Sequence, residues 1–236
     1  KSSIYFYLHF QYNGWFLIAL LSVLFYVFEE KGIHFNSEKL KSFFLLLNFG
    51  VILTVFLSFL WFVPPTVIYI LGLAGAVAQL LAFFELYSLL KNHFSVLRTE
   101  FGPACFFLLK FAGALLGLKI LMQLFSAFPY IANLAFRLKD FVIGYLHMVF
   151  LGIIITAMLA FLEYFKLIKL SKSFLWIFFF AFISTELLIF YKAFALWLGL
   201  PFFAEYYWLL AILSFAFPLA VGILFFRNIK SSYLSA

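Results

Sequence analysis

Residues 66–90 read TVIYILGLAGAVAQLLAFFELYSLL and contain a single charged side chain, Glu85. About 20 apolar residues are enough to cross a hydrocarbon core about 30 Å thick. Backbone N–H and C=O groups find no water in lipid and must bond to one another, so such a run forms a helix. Comparable runs recur along nearly the whole chain. The sequence therefore predicts an all-α, polytopic transmembrane bundle that forms one domain over residues 1–236.

The composition supports this class. Hydrophobic residues make up 67% of the chain and charged residues 11%, with a mean hydropathy of +1.16. A soluble domain needs more charged surface than this to stay dispersed. The alternating apolar and polar pattern of a transmembrane barrel is absent. Lipid is therefore the expected surrounding of most side chains.

The predicted helices are separated by proline and glycine. Proline removes a backbone donor and disfavours helix in the residue before it, so Pro64-Pro65, Gly102-Pro103 and Pro201 mark boundaries. Residues 127–140 are expected to form a loop or a short interfacial helix. The seven predicted spans cover residues 4–28, 43–63, 66–90, 104–126, 141–165, 173–199 and 204–226.

Basic residues are distributed unevenly between the two ends of this bundle. One end carries Lys31, Lys39, Lys41, Lys91, Arg98, Lys166, Lys169, Lys172, Arg227 and Lys230, and the other carries Lys1, Arg137 and Lys139. The positive-inside rule then places the C-terminus in the cytoplasm and residue 1 outside, in an integral protein of a bacterial inner membrane. The net charge of +7 is explained by orientation, so no nucleic-acid partner is predicted.

The chain begins with Lys1-Ser2-Ser3 and enters a helix at once, without an initiator Met or a signal-peptide cleavage site. Seven spans with an outer start fit a chain that continues after an odd number of earlier helices. We therefore predict that these residues are the later part of a longer polypeptide.

Polar side chains gather at one predicted depth, in the outer third of the membrane. Ionisable residues there are costly and by default indicate function, although pairing across helices is a common structural explanation. Two histidines, two lysines and a carboxylate at one level predict a polar or cofactor-holding pocket. The residues of this level are His9, Gln11, Asn13, Lys119, Gln123, Tyr145, His147, Lys192 and Glu205.

A second polar group lies near the inner face and consists of Glu85, Lys110 and Glu163. An ion pair between Glu85 and Lys110, or snorkelling of their chains to the headgroups, is the favoured explanation. Glu186 lies near the middle of the sixth predicted helix. It is expected to pair with Lys119 or Lys192, or to take part in proton movement.

His9 and His147 have two readings. In one, each is a core histidine that is hydrogen-bonded to a neighbouring helix; in the other, a neutral imidazole ligates haem iron or copper. Phosphate loops, nucleotide fingerprints and nucleophile elbows are not found. The lone Cys105 excludes an internal disulfide.

Three local patterns resemble the catalytic subunit of haem-copper oxidases, especially its C-type branch and related nitric-oxide-responsive haem proteins. The run YFYLHFQYNGWF, residues 5–16, looks like that family's sixth helix, with His9 at a copper ligand. GYLHMVFLG, residues 144–152, looks like the tenth helix, with His147 at a haem ligand. WFVPP, residues 61–65, falls where the seventh helix brings a pair of copper-binding histidines.

Differences from the family pattern are as informative as the matches. Pro64-Pro65 stands where the copper-binding pair is expected, and Tyr145 stands where the oxygen-reducing haem has its ligand. The resemblance therefore implies loss of the copper and oxygen-reducing site, with a haem b retained on His147. Arginines for the haem propionates are missing, and Lys119 or Lys192 would substitute.

Three functions remain open at this stage. The first is a degenerate oxidase-like protein with no catalytic residues for oxygen turnover, which uses haem b for electron transfer or sensing beside other membrane or respiratory subunits. The second is a transporter or channel lined by the outer polar residues. The third is a cofactor-free structural subunit of a membrane complex.

Overall fold

In the computed structural model, residues 2–62, 64–201 and 203–233 are described, and all regular structure in these ranges is helical. The all-α bundle is confirmed. Six helical stretches are long and apolar enough to cross a membrane, and one of them, Thr66–Ser126, is 61 residues long. At a rise of 1.5 Å per residue that stretch would measure about 90 Å if straight. It is instead broken into two helices that pack on each other, which makes seven spans in the described residues.

We name these spans 1 to 7. Span 1 comprises Ser2–His9, a π-helix over Phe10–Phe16 and Leu17–Glu30; span 2 comprises Ser37–Thr54 and a 3₁₀ segment, Val55–Phe62. Span 3 is Thr66–Leu90, and span 4 is Phe94–Ser126, preceded by a 3₁₀ turn over Lys91–His93. A short helix, Pro129–Arg137, precedes span 5, which comprises Lys139–His147, a π-helix over Met148–Ile155 and Thr156–Tyr164. Span 6 is Lys172–Trp197, and span 7 comprises Tyr206–Ser214 and Ala216–Tyr233.

Local chemistry explains several helix ends. The Asn36 side chain accepts a hydrogen bond from the Lys39 amide at 3.0 Å and caps span 2. Ser171 caps span 6 in the same way, accepting from the Phe174 amide at 3.1 Å. Pro129 begins the short helix, where its missing N–H costs nothing.

Contacts between loops show that successive spans run in opposite directions. At one end Lys31 pairs with Glu100 at 2.5 Å, and the Lys169 amide donates to Asn228. We call this the basic end. At the opposite end the Trp197 indole N–H donates to the Tyr130 hydroxyl at 3.3 Å. Lys31 and Lys169 therefore lie at one end of the bundle, as the sequence predicted.

Spans 2 and 3 form the closest helix pair. A Cβ on Gly75 would lie 2.6 Å from the Thr54 backbone nitrogen, and one on Gly50 would lie 2.9 Å from the Gln79 nitrogen. Only glycine permits this approach. The GxxxG pair of span 4 behaves differently, because a Cβ on Gly113 would meet nothing within 4 Å, whereas one on Gly117 would contact Phe83.

One predicted boundary was wrong and another is confirmed. Span 2 begins at Ser37 rather than residue 43, because the helix capped by Asn36 continues through the charged turn. The predicted break at Gly102-Pro103 is present within Phe94–Ser126, where Gly102 has the non-helical angles φ 72° and ψ 167° and kinks the helix. The prediction for residue 63 falls outside the described residues. Span 7 is interrupted at Phe215, because Pro218 has no N–H to donate to the preceding turn.

Candidate functional site

His9 occupies a buried position between spans 1 and 2. Its Nε2 lies 2.8 Å from the Val51 carbonyl oxygen, and its Nδ1 lies 3.2 Å from Asn13 Nδ2. A carbonyl oxygen only accepts, so Nε2 carries the hydrogen and Nδ1 accepts from the Asn13 amide. In this neutral ring both nitrogens are engaged, and neither offers a free lone pair.

A second hydrogen-bonded chain crosses spans 2, 3 and 4. The Lys119 ammonium donates to Gln79 Oε1 at 2.9 Å, and Gln79 Nε2 donates to Thr54 Oγ1 at 2.8 Å. Thr54 Oγ1 donates in turn to the Gly50 carbonyl at 2.8 Å. We call Thr54, Gln79 and Lys119 the Lys119 relay. All three side chains are fully buried.

Four buried polar atoms in the described residues lack a hydrogen-bond partner. They are Asn13 Oδ1, Gln123 Oε1, the Tyr145 hydroxyl and Glu186 Oε1. Most buried polar atoms in folded proteins are satisfied, so each exception calls for an explanation. Three of the four were predicted to share one depth.

His147 and Glu186 form a pair between spans 5 and 6. His147 Nδ1 lies 2.6 Å from Glu186 Oε2, and the side chains are 22% and 14% exposed. The Phe182 ring stacks parallel to the imidazole, with centroids 6.0 Å apart. A carboxylate oxygen accepts, so Nδ1 carries the hydrogen, and Nε2 forms no hydrogen bond with any described residue. A neutral ring held in this way has its lone pair on Nε2.

Lys192 is held at the end opposite the basic end. Its ammonium donates to Asp140 at 3.0 Å and to the Tyr207 hydroxyl at 3.1 Å, and it lies over the Tyr206 and Tyr207 rings. These contacts tie spans 5, 6 and 7 together. An ion pair between two partly buried groups explains Lys192 as a structural residue.

The predicted common pocket is divided into separate clusters. Glu186 was expected to pair with Lys119 or Lys192, and this was wrong: it pairs with His147, which lies on the span packed beside it. Glu205 is exposed at the start of the last helix, outside any cluster, because it precedes the first turn of that helix. Gln11 is partly buried within the first π-helix.

Of the two explanations predicted for the inner group, an ion pair or snorkelling, the described residues do not show the ion pair. Among the described residues no ion pair joins Glu85 to Lys110; Lys110 is exposed and lies 5.6 Å from the Phe106 ring centroid. Glu163 accepts a hydrogen bond from the Leu170 amide. Lys31 lies just after span 1, and its hydrogen bond to the Glu100 carboxylate raises the pKa of the ammonium.

The residues present fit a haem ligand better than a copper site. His147 Nε2 is available, and a carboxylate on the other ring nitrogen is the usual partner of a ligating histidine. His9 would have to give up its bond to Val51 before it could bind a metal. No group of three or more His, Cys, Asp or Glu side chains within the described ranges lies close enough to hold a metal ion.

Sequence reasoning missed Thr54, Gln79 and Asp140. Gln79 lies in the middle of residues 66–90, four positions after Gly75, and a polar amide at that depth was the available signal. The two π-helices were also missed. Each begins directly after a histidine, at Phe10 and at Met148, and short π segments are frequent at functional sites.

Comparisons of this chain with protein-family models, with curated proteins and with solved structures found no match. Function therefore has to be argued from the site itself.

Proposed function

We propose that this protein is a membrane-embedded redox or sensing protein that binds a haem b through Nε2 of His147. One observation carries the proposal: Glu186 holds Nδ1 of His147, and Nε2 is left without a hydrogen bond to any described residue. The His147 side chain is 22% exposed, so the bundle does not fully enclose it.

The roles of the protein's own groups follow from this geometry. Glu186 fixes the tautomer and orientation of His147 and raises the basicity of the ligating nitrogen. Phe182 packs against one face of the imidazole and limits its rotation. The haem would supply one-electron chemistry, as in a b-type cytochrome.

The proposal agrees with the resemblance to a haem-copper oxidase catalytic subunit that has lost its oxygen-reducing site. Tyr145 offers a phenol rather than an imidazole two residues before His147. His9 is engaged by Val51 and Asn13. Electron transfer or haem sensing, with another membrane or respiratory subunit as partner, is therefore favoured over oxygen turnover.

Lys119 and Lys192 were considered as holders of the haem propionates. Lys119 lies inside the Lys119 relay, and Lys192 is engaged by Asp140 and Tyr207. Neither contact supports a propionate role.

The test is a reduced-minus-oxidised absorption spectrum of the full-length protein, purified in detergent and supplied with haem. The absorption bands of a b-type haem are expected, and they should disappear in His147→Ala. His34→Ala is the matched control, because His34 is exposed in a loop and should leave the spectrum unchanged. Bands that survive in His147→Ala, or a flat spectrum from folded protein, would end the proposal.

Transport is a second candidate, favoured by the orphan Glu186 Oε1 inside the bundle. A carboxylate with one free oxygen at membrane depth suits a proton or cation path. Flux into liposomes that is lost in Glu186→Gln would support transport. Flux that is unchanged in this variant, or no flux at all, would exclude it.

A further inference from the structure

Lys119 is a cation in the interior of the bundle with no anion beside it. Its side chain is 1% exposed, and no described carboxylate forms a salt bridge with it. An ammonium has three N–H donors, and the relay uses one of them for Gln79. The remaining donors are surrounded by protein rather than by bulk water.

Orphan acceptors lie on the spans around this ammonium. Gln123 follows Lys119 by one helical turn on the same face, and its Oε1 has no partner. Asn13 lies on span 1, which packs with span 4 in one hydrophobic cluster, and its Oδ1 is also unpartnered. The orphan hydroxyl of Tyr145 belongs to a side chain that packs on the hydrophobic cluster shared by spans 1, 2, 3, 4 and 5.

These atoms define what kind of ligand can bridge them. An anion would accept from Lys119 but would be repelled by the orphan oxygens of Asn13 and Gln123. A metal ion would be repelled by the ammonium. A molecule that both accepts and donates satisfies all of them, and a buried water typically makes about three hydrogen bonds to otherwise unsatisfied groups.

We propose that Asn13, Lys119 and Gln123, with the Tyr145 hydroxyl, line a hydrated site inside the membrane, and that Lys119 exchanges its proton with the water held there. In this exchange an N–H bond of the ammonium breaks while an O–H bond forms on the adjacent water. The electron pair of the broken bond stays on Nζ. Proton exchange at this site is a function of the bundle, and it depends on neither haem nor His147.

The other titratable groups near Lys119 are few. Span 1 contributes His9, and span 5 contributes Tyr145, which enters the proposal only as a hydroxyl that bonds water. Thr54 and Gln79, the other members of the relay, are neutral. The short helix before span 5 also packs on span 4, and its charged residue Arg137 is exposed. No described carboxylate competes for the ammonium.

Solid-state NMR of the full chain in liposomes, labelled with ¹⁵N-lysine, tests the site. The Nζ signal of Lys119 is assigned by its absence from Lys119→Met. Lys110→Met is the matched control, since Lys110 lies on the same span with an exposed side chain. We expect magnetisation to pass from water to Lys119 Nζ, and the Nζ signal to move from the ammonium to the amine position as the pH is raised.

Gln123→Leu is a second variant in case Lys119→Met does not fold. It should reduce the transfer of magnetisation from water to Lys119 Nζ. Three results would overturn the proposal. They are no transfer to Lys119 Nζ in the unmodified protein, a signal that does not respond to pH, and a signal that moves when chloride is replaced by gluconate at constant pH. The last would identify an anion site.

Discussion

His9 and His147 were predicted to lie at similar depth, and their hydrogen bonds give them different chemistry. The sequence left the structural and the ligand reading open for both. In the structure His9 donates to a backbone carbonyl and accepts from Asn13, which suits the structural reading. His147 presents Nδ1 to a carboxylate and leaves Nε2 unbonded among the described groups. The role of each histidine depends on hydrogen-bond partners such as Val51 and Glu186, which lie far away in the sequence. A local sequence pattern therefore could not distinguish the two histidines.

Glu186→Gln is the residue-scale test of the ligand reading. Glutamine can still accept from His147 Nδ1, but it no longer offers a charged oxygen that increases the basicity of the ring. We expect haem affinity to fall roughly 10–100-fold and the reduction potential to rise, because the weaker ligand stabilises the ferric state less. Haem titration and spectroelectrochemistry measure the two quantities. Unchanged values in Glu186→Gln would show that the pair does not tune a ligand.

The Lys119 relay gives a prediction about stability. Gln79→Leu leaves the Lys119 ammonium without its only described protein partner, and should lower the free energy of unfolding by about 2 kcal/mol. Adding Lys119→Met removes the orphaned group itself. The double variant is therefore expected to be more stable than Gln79→Leu alone.

The measurement is tryptophan fluorescence during SDS titration of the single and double variants. Thr99→Val, an exposed hydroxyl substitution on span 4, is a control that should unfold like the parent. A double variant that loses the sum of the losses of Gln79→Leu and Lys119→Met would mean that Lys119 and Gln79 are not coupled.

Whole elements were more predictable than their ends and their internal geometry. Hydropathy located the seven spans because each needs an apolar length set by the bilayer. It did not locate the π-helices, since an extra residue per turn changes no composition. Those segments face each other, with the Tyr12 and Phe150 rings 4.2 Å apart, and the pairing of His147 with Glu186 lies at the edge of one of them.

Glycines on different spans also differ in the space that surrounds them. Gly75→Ala should destabilise the bundle by about 1–3 kcal/mol, because its Cβ would lie 2.6 Å from backbone on span 2 and force the two helices apart. Gly113→Ala is the matched control on span 4. Its Cβ meets nothing within 4 Å, and alanine favours helix by up to about 1 kcal/mol.

The same SDS titration compares Gly75→Ala with Gly113→Ala. A loss of stability in Gly75→Ala with no loss in Gly113→Ala is the expected result. Equal effects in both would mean that spans 2 and 3 are not packed as closely as the structure has them.

At the scale of the whole molecule, exposed apolar side chains cover the outside of the bundle. Span 7 packs on span 6 and presents Trp208, Ile212, Phe215 and Phe226 outward. A water-soluble protein rarely exposes contiguous apolar surface of this extent. Lipid is the solvent that such a surface needs, and this agrees with the hydropathy of the chain. The polar clusters correspondingly lie inside the bundle, where their side chains form hydrogen bonds with groups on neighbouring helices.

The charge difference between the ends of the bundle predicts its orientation in the membrane. Lys31, Lys39 and Lys169 lie at the basic end with the last residues of span 7, whereas Arg137 and Lys139 lie at the other. Because basic loops are retained on the cytoplasmic side, we expect the C-terminus to be cytoplasmic in a bacterial inner membrane. A C-terminal green fluorescent protein fusion should then fluoresce, and an alkaline phosphatase fusion should be inactive. Insertion of the same reporters between Leu200 and Pro201, in the loop before span 7, should give the reverse pattern. If the two sites report the same side, span 7 does not cross the membrane; if both patterns are inverted, charge does not set the orientation of this protein.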